Sequence, residues 1–225
     1  MHSSFHNLFK RYFLIGKKGI NNMSTQREIR EQMVLACKRA YTRGIQTGSG
    51  GNISARVPGE DLMLVKVSGS SFVDCTPEDF ITTDFSGTII EGKGKPTREA
   101  LLHGLLYTLN PSVHAVLHVH SPYSISLANI VDDEIPKITW HSQLKIKDMI
   151  PIVDIPYPMV RKEDFPIIQE LMINNPDIRS FVLKNHGIVV MDSDAIQAEH
   201  MAELVEETSQ ITLFKMLFDR MGART

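Results

Sequence analysis

The run Ala115-Val116-Leu117-His118-Val119-His120 organises the reading of this chain. Its apolar character predicts a buried strand, and residues two apart on a strand point to the same face. His118 and His120 therefore aim both imidazoles at one point. A third histidine, His186, sits in the tight stretch Lys184-Asn185-His186-Gly187, ahead of the apolar Ile188-Val189-Val190. Three neutral imidazoles would hold a divalent ion and leave coordination positions open, which separates catalytic zinc from structural zinc. A lone histidine is more often satisfied separately in or near a core. The pair at spacing two inside an apolar strand tips the balance towards a metal.

Upstream of this strand, Pro96 and Thr97 open a helix expected to run to about Asn110. Downstream, Ser121 and Pro122 take the N-cap and first-turn positions of another helix. Thr25 and Glu28 have capping-box spacing ahead of the apolar series Met33, Ala36, Cys37 and Ala40, so a first helix should start there and end near Gly44. A glycine-rich turn at residues 47–52 then leads into a short alternating strand. The turn Pro58-Gly59-Glu60-Asp61 and the run Leu62-Met63-Leu64-Val65-Lys66-Val67 complete a hairpin. A small polar loop, a helical turn at Thr76-Pro77-Glu78 and a strand near Phe80 to Asp84 follow.

Beyond the histidine pair, residues 150–158 are apolar and broken by prolines, which suggests one short strand and an irregular loop. Glu163 to Asn174 reads as a helix, and Ser180 to Leu183 and Ile188 to Met191 read as strands meeting at His186-Gly187. A long helix from Asp194 to about Phe218 carries Ala195, Ala198, Ala202 and Val205 along one face and Glu199, Glu203 and Glu206 on another. Hairpins mixed with helices give an α/β sandwich with a largely antiparallel sheet, not a doubly wound Rossmann fold.

At 225 residues the chain is long enough for one substantial core. The 24 Lys plus Arg against 26 Asp plus Glu give a formal charge of -2, with no basic stripe and interleaved aromatics, so nucleic acid is not an expected partner. Cys37 and Cys75 are too few for a disulfide framework and fit a reducing, cytoplasmic setting. No run approaches the roughly 20 apolar residues that span a bilayer, and no membrane partner is expected. Residues 1–22 hold Lys10, Arg11, Lys17 and Lys18 without an acid, and Phe5, Leu8, Phe9, Tyr12 and Phe13 recur at helical spacing. A transit-like or membrane-surface helix is one reading; a poorly ordered extension upstream of Met23 is preferred, leaving residues 23–225 as a single domain.

Glu99, near the start of the Thr97 helix, is a candidate general acid or base beside a metal. Alone it reads more readily as a first-turn glutamate favoured by the helix dipole. His103 lies four residues on and is expected to pack. Two small polar loops, Thr47-Gly48-Ser49-Gly50-Gly51-Asn52-Ile53-Ser54 and Ser68-Gly69-Ser70-Ser71, with Arg98 beside them, look like an anion pocket. Neither GxxxxGK[ST] nor GxGxxG is present, so no nucleoside triphosphate or dinucleotide site is indicated.

The stretches GSGGNISAR from Gly48, VSGSS from Val67, KPTREALLHGLLY from Lys95, AVLHVHSPYS from Ala115 and LKNHGIVV from Leu183 resemble, in order and approximate spacing, the class II aldolase/adducin superfamily. The resemblance runs from about Glu28 to Phe214. It implies a three-layer αβα sandwich, zinc or a similar divalent ion on three histidines, and a four-fold symmetric homotetramer with active sites at subunit interfaces. It also implies that His118, His120 and His186 are the metal ligands and Glu99 the catalytic acid/base. Asn52, Ser54, Gly69, Ser70 and Thr97 would face a substrate phosphate. Thr97-Arg98-Glu99 departs from the Ser-Ser-Glu of fuculose-1-phosphate aldolases and resembles the Ser-Lys-Glu of the 3-oxo-tetronate 4-phosphate decarboxylase branch. Arg98 would then contact phosphate or a substrate carboxylate.

The expected function is a divalent-metal-dependent carbon-carbon lyase acting on a small phosphorylated sugar or sugar acid through a metal-chelated enediolate, either by aldol cleavage or by decarboxylation. The ion expected is Zn2+, with Mn2+, Co2+, Ni2+ or Fe2+ able to fill such a site. A ribulose-5-phosphate 4-epimerase is the alternative, weakened because those enzymes carry Asp where Glu99 stands. A non-enzymatic adducin-like interaction module would have lost ligand histidines that are present here.

Overall fold

The computed structural model describes residues 25–222, so the basic stretch 1–22 lies outside the described residues. Helix α1 spans residues 25–43 and buries Met33, Ala36, Cys37 and Ala40, the stripe expected from their spacing. It ends in a Schellman turn at Gly44, whose φ is +80°. The Gly44 amide donates to the Tyr41 carbonyl at 3.0 Å and the Ile45 amide to the Ala40 carbonyl at 3.1 Å.

Among the described residues eight strands form one sheet in the order β4-β3-β2-β1-β5-β8-β7-β6. They are β1 (Asn52–Arg56), β2 (Leu62–Lys66), β3 (Phe80–Asp84), β4 (Ile89–Glu91), β5 (Ala115–Val119), β6 (Ile152–Val153), β7 (Ser180–Leu183) and β8 (Gly187–Asp192). Every pairing is antiparallel except β6 with β7. The helices are α2 (Ala100–Leu109), α3 (Pro122–Leu127), α4 (Trp140–Lys145), α5 (Phe165–Asn174) and α6 (Ala195–Arg220). Two elements escaped the sequence reading. Strand β4 is exposed at all three positions and shows no burial alternation, and α4 is a six-residue helix capped by Thr139.

Strand alternation divides the core into two layers. Ile53, Ala55, Ala115, Leu117, Val119, Ile188 and Val190 pack with α1 and α6 on one face. Val116, Val189, Met191 and Phe181 pack with Leu102, Leu106 and Tyr107 of α2 and Ile168 of α5 on the other. This is the αβα sandwich. Because parity is conserved along a strand, Asn52, Ser54 and His118 fall on the α2 face. Gly104 lets α2 come close to the end of β3: a Cβ there would lie 1.8 Å from the Phe85 carbonyl oxygen.

Helix α2 begins later than Pro96 and Thr97 suggested. Residues 95–97 are held in extended pairing beside the end of β2: Ser68 N–H donates to the Lys95 carbonyl at 2.8 Å and Thr97 N–H to the Lys66 carbonyl at 3.2 Å. That pairing brings the 68–71 loop alongside Thr97, Arg98 and Glu99. In α6, Glu199 and Glu206 are buried among the alanines, at 0% and 6% exposure, and not on a separate face. The reason is helical: positions 195, 199, 202 and 206 are themselves an i, i+4, i+7, i+11 series, so both sets share one broad stripe.

Ser121 and Pro122 hold the N-cap and first-turn positions of α3 expected for them. Ser121 occupies the N-cap position but its side chain caps nothing. The free amides are met from α6 instead, where Glu206 accepts from Tyr123 N–H at 2.8 Å, Ser124 N–H at 2.9 Å and Ser124 Oγ at 2.7 Å.

Candidate metal centre

The three histidines converge where β5 ends and β8 begins. Their rings stand 4.5 to 5.0 Å apart, and one nitrogen from each lies within 4.8 Å of the others. His118 is paired with Asn52 on β1 and Val189 on β8. Its Nδ1–H donates to the Ile188 carbonyl at 3.0 Å; a carbonyl can only accept, so this bond fixes the tautomer. Nε2 is left as a bare lone pair facing the other two rings, buried and without a hydrogen-bond partner. An orphaned buried nitrogen of this kind, beside two converging imidazoles, fits a divalent ion.

His120 lies one residue beyond β5, and its backbone N–H is held by Gln46 Oε1 at 2.9 Å. His186 occupies the β7–β8 turn, where its amide donates to the Leu183 carbonyl at 3.0 Å and Asn185 adopts a left-handed φ of 61°. Gly187 makes the approach possible: a Cβ would fall 2.1 Å from the Val119 carbonyl oxygen. Burial lowers the pKa of His118 to about 3 and of His186 to about 4, and lowers that of His120 as well. All three are neutral at neutral pH, the protonation state that metal ligation requires.

Glu99 is the N-cap residue of α2 and is 5% exposed, so it is not simply a solvated first-turn glutamate. Oε2 accepts from Asn52 Nδ2 at 2.8 Å and lies 3.5 Å from His118 Nε2. Oε1 lies 4.0 Å from His186 Nδ1 and has no hydrogen-bond partner. Beneath it His103 is buried as expected, with Nδ1 2.7 Å from Ser54 Oγ, which is in turn 2.7 Å from the Tyr107 hydroxyl. Burial lowers the pKa of His103 to about 3 and pushes that of the Tyr107 hydroxyl well above its ordinary value, so this chain of groups is neutral.

A cleft of about 110 Å³ opens over the histidines. Asn52, Gly69, Thr97, Arg98, Glu99, His120 and His186 are on its walls, with His118 buried behind them. Ser54 and Ser70 are not. Ser54 is fully buried with its hydroxyl engaged by His103 and Tyr107, because it lies two residues deeper along β1 than Asn52. Ser70 turns its hydroxyl back to the Val67 carbonyl at 3.2 Å.

Sequence reasoning missed Lys66, Pro158 and Met159, which complete the walls. Lys66 is 2% exposed, and Nζ donates to the Val67 and Ser70 carbonyls, curling the 68–71 loop around it. Burial lowers its pKa. The available signal was a lysine ending an apolar strand immediately before a small polar loop.

The sequence profile described as "Class II Aldolase and Adducin N-terminal domain" matches residues 31–213. The chain belongs to this family. An L-fuculose phosphate aldolase of Methanococcus maripaludis is 32% identical over 180 residues, covering 80% of this chain and 93% of its own. A 3-oxo-tetronate 4-phosphate decarboxylase of Haemophilus influenzae is 31% identical over 186 residues, covering 81% and 85%. The crystal structure of YgbL from Klebsiella pneumoniae superposes with a TM-score of 0.72 at 29% identity, over 84% of this chain and 90% of that one.

This class II aldolase-family chain has a second, larger groove of about 1140 Å³ near Val113 and Asp192. Those residues mark the start of β5 and the end of β8, the opposite end of the sheet from the histidines. Size alone would favour that groove, but it contains none of the three imidazoles nor Glu99. Glu99, His120 and His186 line the smaller cleft instead.

Proposed function

We propose that the chain is a divalent-metal-dependent carbon-carbon lyase for a small phosphorylated sugar or sugar acid. The observation that carries this reading is a carboxylate oxygen of Glu99 without a hydrogen-bond partner, beside three imidazole nitrogens within 4.8 Å of one another. His118, His120 and His186 hold the ion, which when bound supplies Lewis-acid stabilisation for negative charge developing on substrate oxygens. Zinc suits three imidazoles, and manganese, cobalt, nickel or iron would serve the same donors.

Glu99 moves the proton at the carbon whose bond is broken. Asn52 holds Oε2 and leaves Oε1 free to act, a division that keeps the base aimed. The Gly69 amide, the Thr97 hydroxyl and Asn52 receive the phosphate. Arg98 on the cleft wall favours a second version of the reaction, in which it holds a substrate carboxylate and the bond broken releases carbon dioxide. The names of the M. maripaludis and H. influenzae relatives support these two versions respectively.

The enzyme works in the cytoplasm as a homotetramer with active sites at subunit interfaces. The exposed apolar side chains Trp140, Leu144, Phe214 and Phe218 support an assembly that covers them, and no described helix is long and apolar enough to cross a membrane. The test is a panel of ketose 1-phosphates, 3-oxo-tetronate 4-phosphates and ketopentose 5-phosphates, with and without added zinc or manganese. Metal-dependent turnover of either of the first two classes is expected. Efficient turnover of only the third would make the protein an epimerase, and turnover of none would point to a binding module.

A further inference from the structure

Gln46 is buried at 1% exposure behind the glycine-rich turn, outside the walls of the histidine cleft. The Gly44 stop of α1 fixes its backbone, because the Ile45 amide returns to the Ala40 carbonyl at 3.1 Å and the Ile45 side chain enters the core. From there the Gln46 side chain reaches the end of β5. Oε1 accepts from His120 N–H at 2.9 Å, and Nε2 donates to the Thr47 carbonyl at 2.6 Å. A backbone amide can only donate and a carbonyl only accept, so one orientation of the side-chain amide satisfies both. Methionine of similar length can make neither bond, and an ionised glutamate only the first.

Two glycines of the turn are fitted to this side chain. A Cβ on Gly51, whose φ is +68°, would lie 2.5 Å from Gln46 Oε1. One on Gly50 would lie 2.8 Å from Gln46 Nε2 and 2.7 Å from His120 Nδ1. The turn backbone therefore rests on both the amide and the imidazole. Glycines that look like an anion cradle in the sequence are needed here so that Gln46 and a ligand ring can share the space behind the wall.

His118 and His120 are held in different ways. His118 lies within β5, and its ring is tied to the Ile188 carbonyl. His120 stands one residue past the strand, beyond the last β5–β8 pair, Val119 with Ile188. At that point the sheet no longer fixes the backbone, and the bond to Gln46 does. We propose that Gln46 is a positioning residue for His120, a bridge between the glycine-rich turn and the end of β5 that sets this imidazole against the other two. The proposal rests on the metal-dependent reading of the cleft. Groups that orient a metal ligand without touching the ion contribute about 10–100-fold in affinity.

The experiment measures cobalt(II) affinity of the full chain by competition with a chromophoric chelator and records the visible absorption of the cobalt complex. The variants are Gln46→Met, Gln46→Asn and Gln46→Glu, each checked for its fold by circular dichroism. A residue that only fills space would tolerate methionine, apolar and of similar volume, better than a charged glutamate. Positioning predicts the opposite order. Gln46→Met should lose about 10–100-fold in cobalt affinity and show an altered visible band. Gln46→Asn keeps the amide but falls one carbon short of its two partners, so it should lose affinity too and carries the test if the methionine variant does not fold. Gln46→Glu keeps the acceptor for His120 N–H and should stay within a few-fold of the parent protein. Gln46→Met and Gln46→Asn that bind cobalt as tightly as the parent, with the same spectrum, overturn the proposal and leave the metal centre standing. A protein that shows the expected order of affinities but turns over no sugar phosphate supports the role of Gln46 and sinks the lyase reading.

Discussion

Glu99 is held in three directions at once: by Asn52, by the His118 ring edge and by its own position at the head of α2. Glu99→Gln keeps the shape and the Asn52 contact but removes the proton-accepting oxygen. Turnover should fall by about 10²–10⁴ while bound metal, measured by elemental analysis, stays stoichiometric. His120→Ala should do the reverse and lose the metal itself. Ser54 predicts something different, because its hydroxyl joins His103 to Tyr107 in a fully buried row. Ser54→Ala should cost about 1–3 kcal/mol by leaving those groups unsatisfied, read from the denaturant midpoint, and should leave the KM for substrate phosphate nearly unchanged. An increase of KM alone would return Ser54 to the phosphate site.

The strands and long helices were readable because their determinants are local. The apolar run Ala115 to Val119, the Gly44 stop and the Asp194 cap each act within a few residues, and Asp194 accepts from the Ile196 and Gln197 amides at 2.9 Å. The His118–His120 pair was readable for the same reason, since spacing two on a strand needs no tertiary information, whereas His186 joins it from a distant turn. The partners of Lys66 and Glu206 were not readable, because they come from a loop that curls back and from a helix some 80 residues earlier in the chain. Glu206 gives α3 a cap from another element, and Glu206→Ala should destabilise the fold by about 1–3 kcal/mol, with no new sequence signal at Ser121 to explain it. Gly187→Ala tests the β5–β8 approach: a methyl group has no space against the Val119 carbonyl, so expression of folded protein or metal occupancy should drop sharply.

Across the whole molecule, α1 and α6 meet through a buried charge. Arg39 Nε lies 2.8 Å from Glu199 Oε2, yet burial and the neighbouring Glu203 together raise the Glu199 pKa to about 8 against that guanidinium. The folded state therefore keeps a proton that the unfolded chain releases near the ordinary carboxyl value of 4.5. The stabilisation is complete below that value and declines as pH rises through about 8. Thermal midpoints measured from pH 5 to about 8.5 should fall with this profile, and Glu199→Gln should flatten it. Metal acts in the opposite sense by mass action: zinc at about 100 times its Kd should add about 2.7 kcal/mol, a rise of several degrees in Tm that His120→Ala abolishes.

The centre is assembled from β1, the head of α2, the end of β5 and the β7–β8 turn, with Asn52 and His186 near its two limits in sequence. No short stretch of the chain owns a complete set of donors. Of the centre's own donors a partly folded chain brings only His118 and His120 close together, and binding there must wait until the sheet has closed. The ion would certify a finished fold, not seed one, and its uptake during refolding should lag behind the recovery of helical signal.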